Sequence, residues 1–145
     1  MEFPLDEIIQ PRYWLGLPRL HPIRIITLHS TRGDNTMELQ YLATKNWMQS
    51  PNNEARDRDG TRLGWGSSTN RIISHEGQMC TAWPDDQYCT YGAGYGDGGS
   101  WAADWYAINI ELAQPSVDMP FTAACLERAA IECAKLCARY DIPPV

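Results

Sequence analysis

The chain has 145 residues, 43% of them apolar and 21% charged, the length of one ordinary domain with enough apolar surface for a real core. Twelve basic side chains against eighteen acidic ones leave a net charge of −6, which repels phosphate backbones and argues against a nucleic-acid partner. No run approaches the ~20 apolar residues of a membrane span, and Met1 to Ile9 has no basic start, so neither a span nor an export signal is expected.

Residues 1–19 read as an N-terminal extension and residues 20–145 as the domain proper. From Ile23 to Leu28 the run IRIITL is rich in β-branched residues and predicts a mostly buried strand that ends at His29-Ser30-Thr31. Asn35, with Glu38 three positions on, marks a helix N-terminus. Leu39, Leu42, Ala43 and Trp47 then recur at helical spacing as far as Met48, and Ser50-Pro51 stops the helix. Residues 51–66 are polar and punctuated by Gly and Pro, which predicts a surface loop. Asn70 to Ser74 and Gln78 to Trp83 read as an antiparallel hairpin around His75-Glu76-Gly77, followed by Pro84-Asp85-Asp86. Tyr91 to Ser100 holds five glycines in ten residues and predicts a loop or backbone-lined rim. Ala107 to Leu112 alternates as a strand. Thr122 caps a long helix to about Tyr140, which Asp141-Ile142-Pro143-Pro144 ends. The order strand, helix, hairpin, loop, strand, helix gives the class α/β, a single domain with a mixed central β-sheet flanked by α-helices.

Few residues stand out chemically. The five cysteines are an odd number with irregular spacing, which excludes a disulfide framework. Cys125, Cys133 and Cys137 fall on one helix face with Ala129, Leu136 and Tyr140, either as packed thiols or as a metal pair. Cys80 and Cys89 flank a turn and are either bridged or buried as thiols. Trp65, Trp83, Trp101 and Trp105 lie in or beside the glycine-rich loops, as stacking surfaces for a ligand or as core filling. His21 and His75 are expected to be exposed and inert. His29 differs, because it stands at the carboxyl end of a strand, where α/β sheets project functional groups from a rigid base. Alternation puts Asn109 and Glu111 opposite the isoleucines of their strand. There the carboxyl either faces solvent or points into a cleft whose apolar walls would raise its pKa.

Five motifs in order then resemble one family. Ile25 to Thr31 (IITLHST) is similar to the first metal-ligand strand of the zinc-dependent N-acetylmuramoyl-L-alanine amidases, the type 2 amidases whose fold is shared with phage lysozymes and peptidoglycan recognition proteins. Ser67 to Asp86 resembles that family's hairpin and Pro-Asp pair, and Tyr91-Gly92-Ala93-Gly94 its Trp-His-Ala-Gly segment. Tyr106 to Leu112 resembles its Ser-Ile-Gly-Ile-Glu strand, and Arg139 to Pro143 its Tyr-Gly-Ile-Pro-like stop.

The resemblance implies a peptidoglycan hydrolase, cutting the amide between N-acetylmuramic acid and the L-alanine of the stem peptide with a zinc-activated water. It implies His29 as the first zinc ligand and Glu111 as the carboxylate beside the attacking water. It places the substrate groove at Thr69, Asn70, Tyr91 and Gly92, of which Gly92 stands where the family usually has His. Zinc would polarise the amide carbonyl and acidify the water, and glutamate would pass the proton to the leaving amine. The family's remaining ligands come from a segment after the last helix, which here would lie beyond Val145. The implied setting is the bacterial cell wall, with a phage or virion-associated lysin as the source of the activity. The alternative is a muropeptide-binding module without turnover, or a truncated relative of the family.

Overall fold

The computed structural model describes residues 2–15, 18–33, 35–82, 85, 87–92 and 102–144. The expected stretches Trp83, Pro84, Asp86 and 93–101, including Trp101 and most of the glycine run, lie outside the described residues.

The elements in chain order are β1 (Glu7–Ile9), β2 (Ile25–Ser30), α1 (Met37–Gln49), a 3-10 turn (Pro51–Asn53), β3 (Glu54–Arg56), β4 (Arg62–Gly66), β5 (Arg71–Ile73), β6 (Met79–Ala82), α2 (Ala102–Tyr106), β7 (Ala107–Leu112) and α3 (Ala123–Tyr140). Five strands form one mixed sheet in the order β1-β6-β5-β7-β2. The β5–β6 hairpin is antiparallel, as its turn chemistry predicts. Gly77 takes φ +81°, and the Ser74 hydroxyl accepts the backbone N–H groups of Glu76 and Gln78. All other pairings in this sheet are parallel.

Helices cover both faces. α3 packs Cys125, Ala129 and Leu136 against Ile73, Met79, Ile108, Ile110 and Leu112. Its start matches the sequence reading, since the Thr122 side chain accepts from the backbone N–H of Cys125, and Asp141 ends it in the left-handed conformation. On this face Arg71 is almost fully buried and donates to Asp85 and Glu132, both also buried. Burial alone would lower the Arg71 pKa; the two carboxylates outweigh it and raise it.

Four sequence expectations are corrected. The strand at Ile25 is an edge strand, not a buried one: nothing pairs beyond it among the described residues, so Ile25 and Leu28 are exposed. α1 is capped by Thr36, whose carbonyl accepts from Leu39 and Gln40, rather than by Asn35. Its buried face is Gln40, Tyr41 and Met48, leaving Leu39, Leu42 and Trp47 about half exposed. Apolar residues occur on both sides of this helix, and contact of Tyr41 and Met48 with Ile9, Ile72 and Cys80 decides which side turns inward. Residues 51–66 are not a bare loop but carry the β3–β4 hairpin. In the N-terminal segment, β1 joins the main sheet beside β6, held by the Glu7 carboxylate, which accepts from Tyr41 and Lys45.

Candidate active site

Parallel pairing of β2 with β7 sets Thr27 opposite Asn109 and His29 opposite Glu111. Side chains two residues apart share a face, so these four polar groups form one patch on the face that α1 covers. The isoleucines of β7 alternate onto the other face and build the core under α3. Strand alternation therefore produces the patch, and register brings its two halves together.

His29 is half-buried. Its Nε2 lies 3.0 Å from Asn109 Oδ1 and 3.3 Å from Thr27 Oγ1, and the Thr27 hydroxyl donates to the same Asn109 oxygen. Asn109 is fully buried, and its amide nitrogen reaches Thr90 Oγ1 at 3.0 Å and Asp104 Oδ1 at 2.7 Å. Behind these, Asn70 Oδ1 accepts the backbone N–H of Asn109 and the hydroxyl of Thr90. The imidazole is thus backed by a buried hydrogen-bond network, the kind of support that holds a ring in one orientation.

Glu111 sits at the wall of a cavity of about 410 Å³ between the end of β7 and α1, lined also by Arg32, Gln40, Thr44, Trp47 and Ser67. Its Oε2 is buried without a hydrogen-bond partner among the described residues. Burial raises the Glu111 pKa above the usual carboxylate range, and the neighbouring His29 opposes that rise. Gln40, only 2% exposed, likewise leaves its Oε1 unpartnered among the described residues. Two buried acceptors on one cavity are groups that a bound molecule could satisfy. Gln40 and Trp47 escape a sequence reading because their helix face is chosen by tertiary packing.

The other expected residues fall differently. Thr69 and Asn70 are fully buried rather than exposed along a groove. Thr69 donates to the carbonyl of Asn109 at 2.8 Å, and Asn70 anchors the network just described, so both support β7 from behind. Tyr91 is half-buried with its ring 5.8 Å from that of Trp65, and the Gly92 N–H donates to Asp104. His21 and His75 are half-buried rather than exposed; His21 packs on Trp105 and Tyr106. All five cysteines are free, Cys80, Cys89 and Cys125 being buried, and burial raises the pKa of Cys80 to about 11.

Among the described residues no three His, Cys, Asp or Glu side chains converge as a metal site. A catalytic zinc site keeps three protein ligands and an open position. His29 with a single neighbouring carboxylate does not complete one, and what this pair offers by itself is proton transfer.

No curated protein sequence matches the chain. Among solved structures it resembles the N-acetylmuramoyl-L-alanine amidase LysC from Clostridium intestinale URNW, with 13% identity and a TM-score of 0.60 over 96% of this chain and 78% of that one. It resembles AmpD with 17% identity and a TM-score of 0.61, over 94% of this chain and 75% of that one. The ectodomain of the Drosophila receptor PGRP-LCa is similar at 12% identity and a TM-score of 0.59, over 94% and 75%. At such identities the likeness shows a shared fold. The family model described as N-acetylmuramoyl-L-alanine amidase matches residues 19–145, and the chain belongs to that family.

Proposed function

We propose that this protein is a peptidoglycan hydrolase that cleaves the amide between N-acetylmuramic acid and the L-alanine of the stem peptide. The observation that carries the reading is the in-register pairing of His29 with Glu111 on adjacent strands, at a cavity where the carboxyl is buried and short of a partner. A carboxyl with a raised pKa suits both halves of amide hydrolysis. It accepts the proton of the attacking water as the C–O bond forms, then delivers it to the alanine nitrogen as the C–N bond breaks. Gln40 at the same cavity offers an acceptor to an N–H of the stem peptide.

Zinc belongs to this reading with His29 as one ligand and the others drawn from outside the described residues. When bound, zinc polarises the amide carbonyl and acidifies water. The site of action is the bacterial cell wall, and a lysin of phage or virion-associated type fits that role.

The test is digestion of purified peptidoglycan with detection of newly freed L-alanine amino groups. Product that disappears with chelator, returns with zinc and is lost in Glu111→Ala supports the reading. Wall digestion that frees reducing sugars instead of amino groups refutes it. A second reading, muropeptide binding without turnover, is favoured by the incomplete ligand set among the described residues. Calorimetric titration with a muramyl peptide separates the two, since this reading requires heat of binding with no product and no dependence on zinc.

A further inference from the structure

We propose that Asn109 is a positioning residue that holds His29 as the Nε2–H tautomer and leaves the ring lone pair on Nδ1. This rests on the reading of His29 as the functional imidazole.

The orientation of the Asn109 amide follows from a chain of hydrogen bonds that begins at a backbone donor. The Asn109 N–H donates to Asn70 Oδ1 at 2.9 Å, so that atom is an acceptor. Thr90 lies 3.0 Å from the same oxygen and must therefore spend its only proton there. Thr90 Oγ1 is left as an acceptor toward Asn109, so the Asn109 atom facing it at 3.0 Å is the amide nitrogen. Asp104 Oδ1, which also accepts the Gly92 N–H at 3.2 Å, faces that nitrogen at 2.7 Å and agrees. The Asn109 oxygen then has one direction left, toward Thr27 and His29. A carbonyl oxygen only accepts, so Nε2 carries the proton.

Gly92 is part of the device. A Cβ built on it would lie 2.7 Å from Asn109 Cβ and closer still to the Asn109 amide. A side chain at position 92 and the Asn109 side chain exclude one another. The small residue at 92 leaves the room in which the amide stands behind His29, and its own N–H ties the loop to Asp104. The arrangement is the one seen wherever a ring must present one chosen nitrogen: the partner of the other nitrogen decides which.

The test is ¹⁵N NMR of the metal-free 145-residue chain at about pH 8.5, above the ordinary imidazole range. A one-bond N–H signal from His29 Nε2, protected from solvent exchange, is expected in the wild type. In Asn109→Ala that proton should exchange about two- to tenfold faster, the range expected for one lost hydrogen bond. Should Asn109→Ala not fold, Thr90→Val removes the acceptor that orients the amide and should loosen the same proton, while Thr90→Ser preserves it. Gly92→Ala should mimic Asn109→Ala in the wild type and be relieved only once Asn109 is glycine, because the Cβ of an alanine at 109 would still lie 2.7 Å away. A proton on Nδ1 in the wild type, or an Nε2–H unchanged in both Asn109→Ala and Thr90→Val, overturns the inference. Because no metal or substrate is present, these outcomes are independent of the hydrolase reading. An intact tautomer in a protein that frees no alanine amine would refute that reading alone.

Discussion

Replacing Glu111 by glutamine should stabilise the protein at neutral pH while abolishing the hydrolysis proposed for it. The carboxyl is buried, its Oε2 has no partner among the described residues, and burial raises its pKa. Leaving a buried acceptor unpaired costs about 1–3 kcal/mol, and more when it is charged. Glutamine keeps the volume and removes the charge, so a gain of about 1–2 kcal/mol at pH 7 is expected. For a chain of this length each kcal/mol moves Tm by roughly 3 °C, giving a rise of roughly 3–6 °C. The sign with pH is specific. The folded-state pKa lies above the unfolded one, so the wild-type carboxyl contributes its full stability below about pH 4 and loses it as pH rises through the folded value. The gain of Glu111→Gln should therefore be near zero at acid pH and grow toward neutrality. Urea denaturation of both proteins between about pH 3.5 and 8 measures this, with alanine amine release expected to fall at least about a hundredfold. A variant less stable than wild type at pH 7, or a gain that persists undiminished at the acid end, would refute the reasoning.

Other perturbations test the scaffold that presents the site. Arg71→Met leaves the buried carboxylates of Asp85 and Glu132 without their cation and should cost about 3–5 kcal/mol in urea unfolding at neutral pH. A loss below about 1 kcal/mol would show that water reaches the pair. Arg19 donates to four backbone carbonyls, those of Asp85, Tyr88, Trp105 and Ala107, at 2.8 to 3.1 Å. Arg19→Ala should lower stability by about 2–4 kcal/mol and speed amide exchange at residues 87–92 before it speeds exchange in α3. Gly77→Ala puts a side chain at φ +81° with its Cβ 2.7 Å from Phe3 Cε1. The left-handed backbone alone costs about 1–2 kcal/mol, and thermal melting should register at least that much.

Local chemistry was legible before any coordinates. Ser74 and Gly77 announce a tight turn, so the β5–β6 hairpin could be read directly. Thr122, the four-residue spacing of Cys125 and Ala129, and Asp141 before the prolines delimit α3 to within a residue or two. His29 at a strand end and Glu111 on the polar side of an alternating strand stood out individually, each with an open alternative. These signals survive because they depend on neighbours within a turn or two of chain. Only the tertiary structure could put His29 across from Glu111, since a parallel pairing between residues 82 positions apart leaves no periodic trace. It also decided that β2 is an edge strand, that Tyr41 rather than Leu39 or Leu42 faces the sheet, and that Glu7 to Ile9 closes the opposite edge. The dependence of Asn109 on an empty position 92 belongs to the same class, because it is a matter of two side chains competing for one volume. Sequence specifies which groups are available and how each short segment bends, whereas which of them meet is set by how whole elements bury their apolar faces against one another.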